Sequence, residues 1–386
     1  MHSLWKPMGD FKVDCIIVGC GLTGSVIARQ LAERGKRVVI WERRNHIGGN
    51  MYDYVDKHGF LVHKYGPHTF HTKKKELYDY ICQYEQWQEY KLTCGAVWDG
   101  KYTPTPFNFT TIDVFYLPDK ARQLKKKLKA AFPRREFATV VEVLDHPDPD
   151  IRGYAEFLFQ NDYAPYTAKQ WGVTPEAIDP SVLQRVPLRF SYGEGYFDDP
   201  YQVMPVHSYT EFFKNLLNHP NIEVNLNIDA LNHIRIKNDR IVVDGAMFEG
   251  KVFYTGALDE LFGCVYGKLP YRSLRFEWKY EEKESLQPNP VVAYPQEKSY
   301  TRITEYKKLP MQDKPGTSYA VEYPLLYKNG GQMEPYYPVL TESSQKQYES
   351  YRALADAVQG FVCCGRLGDF KYYNMDQVLE KAIKIY

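Results

Sequence analysis

The residues best placed to do chemistry lie near the start of the chain, where Gly19, Gly21 and Gly24 form a G-x-G-x-x-G and Glu42 ends the next apolar run. The spacing suits a dinucleotide. Gly19 permits a tight turn, Gly21 lets backbone approach a pyrophosphate, and Gly24 lets helix and strand pack closely. A helix starting there, with Leu22 and Thr23 in its first turn, offers unpaired N–H groups and a positive dipole end to phosphates. Glu42 can accept hydrogen bonds from a ribose, but it does not separate NAD from FAD. Arg43, Arg44 and then Gly48, Gly49 and Asn50 follow in ERRNHIGGN, where the Gly48-Gly49 pair lets backbone approach the far end of an extended cofactor. There is no second G-x-G-x-x-G, which argues against a separate pyridine-nucleotide domain. His68 and His71 stand in HKYGPHTFHT; taken alone they read as two histidines satisfied in a loop.

Other patterns carry less. Tyr294 and Lys298 make a Y-x-x-x-K, but Pro295 would break the helix that pattern needs. Asp148-Pro149-Asp150 spells a D-x-D within a proline-rich turn, so no metal site is expected. There is no obvious nucleophile triad or paired-carboxylate motif.

The elements that must position these residues can be read from the apolar patterning. Strand-like runs at 13–18 and 37–41 flank a helical pattern from Ser25 to Arg34 that Gly35 stops, and a third run at 361–364 precedes Gly365. The expected fold is mixed α/β, with a Rossmann-like nucleotide-binding domain built from both chain ends (1–73, 200–265 and 340–386). A helical domain carrying a mobile lid and dimer contacts is expected over 74–185. An antiparallel sheet domain is expected over 186–199 and 266–339. Runs at 222–235, 240–254 and 272–323 read as strands, with an Asn-Asp turn in IRIKNDRIVVDG.

Composition narrows the function. The 386 residues allow two or three domains, and a net charge of +1 gives no sign of bulk nucleic-acid binding. Seven cysteines, odd in number and without a C-x-x-C, fit reduced cytosolic thiols. No signal-peptide layout and no apolar run near the ~20 residues of a membrane span is expected from the sequence. The basic run at 120–129 has helical spacing and reads as a solvated helix face in preference to a membrane-binding one.

Longer segments carry a resemblance. YTAKQWG at 166–172, LRFSYGEGYFDDPYQVMP at 188–205, YRSLRFE at 271–277, YTRITEY at 300–306, EPYYPV at 334–339 and CGRLGDFKYYNMDQV at 364–378 follow the glycine turn in order. Together they resemble prokaryotic UDP-galactopyranose mutases from about Lys12 onward. The resemblance implies FAD, active when reduced by an external reductant, a cytoplasmic homodimer, and interconversion of UDP-galactopyranose with UDP-galactofuranose for cell-surface glycans. It implies no side-chain nucleophile: flavin N5 attacks the anomeric carbon, supported by His68, His71, Arg185 and Arg302. Arg185 and Arg302 match diphosphate-binding arginines, a residue type suited to bidentate contacts. Tyr166 matches a tyrosine stacking on uracil with Tyr163 beside it, and Trp171 lies on the lid. Tyr196, Tyr337 and Tyr372 match tyrosines lining the sugar and diphosphate site. Arg366 and Met375 fall beside the flavin. Asn374, an N-cap residue type, stands where many relatives have Asp, which leaves a UDP-N-acetylgalactopyranose mutase as an alternative. The role of Arg272 stays open. A FAD-dependent amine or sugar oxidase, which shares the glycine fingerprint, is the rival enzyme reading, and a catalytically idle UDP-sugar-binding protein is a third.

Overall fold

The computed structural model describes residues 13–172, 187–328 and 333–385. The apolar runs at the chain start form the centre of a five-stranded sheet, ordered Ile222–Leu226, Val38–Glu42, Cys15–Val18, Lys251–Tyr254 and Phe361–Cys363. Every pairing in it is parallel. All five side chains of Val38–Glu42 are buried, as a parallel strand covered on both faces requires. The two chain ends therefore meet in one sheet, as the sequence leads one to expect.

The helix after the glycine turn spans Leu22–Glu33, starting earlier than the periodicity from Ser25 suggests. Gly24 conceals its first turn, because glycine is a poor helix former. It is needed there: a Cβ on Gly24 would fall 2.1 Å from the Gly19 carbonyl oxygen and 3.0 Å from Ile17 Cγ2. Val26, Ile27 and Leu31 pack with Phe212, Phe213 and Leu216 of Tyr209–Leu217 and with Leu379 of Met375–Lys384 in one core cluster. Gly35, at φ +77°, ends the helix as expected, and its N–H donates to the Ala32 carbonyl at 2.9 Å.

A seven-stranded sheet stands beside this one, ordered Tyr337–Pro338, Tyr271–Glu281, Thr317–Leu326, Arg302–Glu305, Val291–Ala293, Cys94–Trp98 and Lys101–Thr105. It corrects two expectations. The segment 74–185 is not wholly helical, because its hairpin Cys94–Thr105 forms one edge of this sheet, turned by Asp99 and Gly100 at φ +50° and +69°. The sheet is not wholly antiparallel either, since Val291–Ala293 runs parallel to Cys94–Trp98. In addition, Leu188–Arg189 pairs with Phe137–Ala138, and Leu188 and Phe190 are buried in the helical core, so this stretch packs with the helices.

Smaller readings are also settled. The hairpin Ile234–Val243 turns at Asn238 and Asp239, both at positive φ, whereas 222–235 also contains the helix Ala230–His233. Asp148 caps the helix Pro149–Leu158, accepting the Asp150 N–H at 2.9 Å, and both aspartates pair with Lys127. The D-x-D is thus a helix cap, and the basic helix Pro118–Ala131 has Lys125 and Lys127 matched by aspartates on its solvated side. Among the described residues no helix is long and apolar enough to cross a membrane.

Candidate functional site

The carboxyl ends of the parallel strands open onto a cavity, the usual ligand position in such sheets. Its floor is the glycine turn, where a Cβ on Gly49 would fall 2.8 Å from the Gly21 Cα. Every residue the resemblance assigns to the cofactor lines this cavity: Gly19, Gly21, Leu22, Thr23, Gly24, Glu42, Arg43, Gly49, Asn50, His68, Arg366 and Met375. Arg44 and Gly365, in segments the sequence singled out, also line it, and sequence reasoning missed Thr255, Gly256 and Pro335, which line it too. Thr255 and Gly256 could have been found, since they follow the strand Lys251–Tyr254 as Gly19 follows Cys15–Val18.

The cavity walls are charged in a defined pattern. The Glu42 carboxylate ends its strand held by the Cys20 N–H at 2.8 Å and the Arg44 N–H at 2.9 Å, one bond on each oxygen. A carboxylate has further lone pairs, so a ribose hydroxyl can still bind it. Two helices begin at the cavity, Leu22–Glu33 and Met375–Lys384. The second has Asn374 at its N-cap, whose N–H donates to Gln377 Oε1 at 2.9 Å. Arg366 donates from Nη2 to the Tyr373 carbonyl at 2.7 Å and lies 4.9 Å from the centre of the Tyr372 ring.

His68 and His71 are separated. His68 Nδ1 donates to the Gly66 carbonyl at 2.8 Å, which leaves Nε2 as an acceptor. Burial pushes its pKa down to about 4, the Gly66 bond opposing and Arg366 and Arg302 adding to the fall, so the imidazole is neutral near pH 7. His71 lies outside the cavity lining. It stacks on Phe197 with ring centres 3.6 Å apart, and its Nδ1 bonds Asp199.

The expected substrate residues divide similarly. Tyr337 and Tyr372 stack at 5.3 Å, and Trp171 meets them at 6.0 and 6.5 Å, so these three rings form one cluster next to Arg366. Arg302 donates from Nε and Nη2 to Glu322 Oε2 at 2.9 and 2.8 Å, and Nη1 has no hydrogen-bond partner among the described residues. Burial pushes the Tyr166 hydroxyl upward, and Arg302, Glu322 and Tyr196 lie within its electrostatic reach. Tyr196 packs edge-on against Phe197 at 4.9 Å. Tyr163 is 5% exposed, in the helical core edge-on to Phe107. Arg185 lies outside the described residues. Arg272 acquires a role: its Nε and Nη2 donate to the carbonyls of Gln170 and Lys169 at 3.0 and 3.2 Å, capping the helix Ala164–Trp171. No group of three or more His, Cys, Asp or Glu placed to hold a metal occurs among the described residues.

Sheet, glycine-floored cavity and cavity-lining carboxylate define a nucleotide-binding protein of the Rossmann-like class, and residues 17–84 match the model of the NAD(P)-binding Rossmann-like domain. Residues 161–372 match the UDP-galactopyranose mutase model. The chain belongs to the UDP-galactopyranose mutase family. It is 34% identical over 379 residues to a UDP-galactopyranose mutase of Mycoplasma pneumoniae, covering 96% of this chain and 95% of that one. It is also 34% identical over 377 residues to a dTDP-fucopyranose mutase of Escherichia coli, with 96% of both chains covered. Among solved structures, a reduced UDP-galactopyranose mutase superposes with a TM-score of 0.73 at 15% identity, over 97% of this chain and 93% of that one.

Proposed function

We propose that this protein interconverts UDP-galactopyranose and UDP-galactofuranose, with FAD in the glycine-floored cavity. The observation carrying this reading is convergence: residues scattered from Gly19 to Met375 line one cavity, and Arg366 joins it to the Trp171, Tyr337 and Tyr372 cluster. The cavity suits FAD, since its glycine floor admits a pyrophosphate, Glu42 a ribose, and two helix N-termini supply positive potential. When bound and reduced, FAD supplies the nucleophile for the anomeric carbon.

The chain's own contribution is positioning and charge. Arg302, oriented by Glu322, offers Nη1 to the departing diphosphate, and Arg185 is its proposed partner. His68, kept neutral, can accept a hydrogen bond through Nε2 without adding positive charge. The aromatic cluster shields the reacting sugar from water, and Tyr166 stacks on the uracil. The reading extends to a cytoplasmic homodimer that takes electrons from an external reductant and serves surface-glycan synthesis.

One observation favours a neighbouring reading. The likeness to a dTDP-fucopyranose mutase is as extensive as that to the Mycoplasma enzyme, so the nucleotide and the sugar can differ within the same ring contraction. Dithionite-reduced protein, assayed by chromatography on UDP-galactofuranose, its 2-acetamido analogue and dTDP-fucofuranose, tests both. Conversion of the first to UDP-galactopyranose is expected only after reduction. Equal turnover by oxidised protein under air, or peroxide released with turnover, would overturn the mutase reading.

A further inference from the structure

One carboxylate joins the two halves of the site. Glu334 lies just ahead of Tyr336 and Tyr337, and its oxygens receive three bonds from the far wall of the cavity. Arg43 Nη2 and Arg44 Nη2 donate to Oε2 at 2.6 and 2.7 Å, and Arg44 Nε donates to Oε1 at 3.2 Å. The side chain is 19% exposed, sheltered enough for these charge-assisted bonds to hold. Arg43 and Arg44 follow directly on Glu42 and line the cavity, as does Pro335. Arg44 is fixed further by Asn50 Oδ1 at 3.0 Å and by the Tyr65 ring, 4.5 Å from its guanidinium centre.

From Glu334 the chain runs straight into the substrate side. The Tyr336 N–H donates to the Arg272 carbonyl at 2.9 Å, and Tyr337 pairs with Arg272 in the sheet. Tyr337 stacks with Tyr372 and meets Trp171, while the Arg272 side chain caps the helix that carries Trp171. Fixing Tyr337 therefore fixes Glu334, and fixing Glu334 holds the arginines that wall the ribose end of the cavity.

We propose that Glu334 is a positioning residue that couples retention of the dinucleotide to occupancy of the sugar-nucleotide site. The inference rests on the function proposed above, because it takes Tyr337 as part of the substrate site. Coupling between sites is reciprocal, so a ligand that orders Tyr337 must tighten binding of the cofactor, and with Glu334 holding the cavity wall closed the gain falls on the rate of its release. A merely structural Glu334 would hold the cofactor equally well whether or not the second site is filled.

The test measures the rate at which FAD leaves the holoprotein, followed by the rise of free-flavin fluorescence, with and without saturating UDP. In the unaltered protein UDP is expected to slow release about fivefold or more. In Glu334→Gln and Glu334→Ala, release without UDP quickens and the ratio of the two rates falls towards one. The Gln variant keeps the side chain's size and carries the test if the Ala variant does not fold. UDP binding is followed separately by quenching of tryptophan fluorescence. A ratio unchanged in Glu334→Gln, or a ratio of one in an unaltered protein that does bind UDP, overturns the inference alone. Failure of UDP to bind the unaltered protein overturns the site reading and the inference with it.

Discussion

Two glycines of the fingerprint, three residues apart, should fail in opposite ways when changed to alanine. A Cβ on Gly24 would lie 2.1 Å from the Gly19 carbonyl oxygen, a backbone atom held in a turn at φ +97°. The helix and the strand Cys15–Val18 must separate to admit it. Overpacking of this kind costs about 1–3 kcal/mol, and the gain in helix propensity returns about 1 kcal/mol, so the loss reaches about 2 kcal/mol when the backbone cannot give. For a nucleotide-binding domain of roughly 150–250 residues, about 2 kcal/mol lowers the apoprotein Tm by about 4–8 °C. Gly21 differs. Its backbone is extended, at φ −81° and ψ −173°, and a Cβ there would meet only the Gly49 Cα at 3.8 Å, an ordinary contact. Apoprotein stability should hold, or rise by about 0.4–1 kcal/mol through the unfolded chain. The new methyl would stand on the cavity floor, where the pyrophosphate is proposed to lie. Losing one charge-assisted hydrogen bond there costs about 1.5–3 kcal/mol, or about tenfold to a hundredfold in FAD affinity. Melting of both apoproteins and flavin titration of each make the assay. Unaltered FAD affinity in Gly21→Ala would remove the phosphates from this floor, and an unaltered Tm in Gly24→Ala would refute the packing argument.

Other consequences follow from single contacts. Arg302→Ala should nearly abolish turnover while flavin absorbance stays with the protein, and it should also lower Tm, because Glu322 is left buried at 2% exposure without its partner; unchanged turnover would remove Arg302 from the site. Burial pushes the pKa of the Asp162 carboxyl from the ordinary aspartate value near 3.8 up to about 7, with Lys169 opposing. Its stabilisation is complete below the lower value and is lost as pH rises through the upper one, so the melting advantage of Asp162→Asn over the unaltered protein should widen between about pH 4 and pH 8. A gap independent of pH would show that Asp162 titrates normally. Arg272→Ala removes the cap from the helix Ala164–Trp171 and should shift tryptophan emission to the red, a shift that vanishes in a Trp171→Phe background. A shift that persists there would place the disturbance elsewhere.

The dinucleotide half of the fold was legible because independent constraints coincide within a few dozen residues. Apolar runs, glycine spacing and a terminal acid each demand the same strand–helix–strand unit. The hairpin Cys94–Thr105 had a comparable signal in Asp99-Gly100, but CGAVW is buried at most positions and lacks the alternation of a half-exposed strand. Set in a helix-rich stretch, it was absorbed into its surroundings. Its partner strand Val291–Ala293 is distant in sequence, and no local pattern reports a parallel pairing of that kind. The same limit hid Pro335, whose role depends on which segments happen to be neighbours.

The histidines show where motif likeness outruns backbone geometry. Spaced three apart, His68 and His71 look like a pair with one job. Phe70–Thr72 is a strand, however, and its side chains alternate between faces. Phe70 and Thr72 are 1% and 0% exposed and point into the core, which turns His71 the other way, onto Phe197 and Asp199. His68 precedes the strand, escapes that alternation and reaches the cavity. One neutral imidazole is then available to the proposed flavin instead of two. Positive charge must come from the guanidinium groups, and these are not equivalent. Arg302 is matched by Glu322, so it offers direction with a reduced net charge, whereas Arg366 bonds a backbone carbonyl and keeps its charge whole. The anionic reduced flavin proposed above is better served by the second, whose charge no carboxylate among the described residues offsets, and the proposed diphosphate by the first, whose Nη1 is aimed by Glu322.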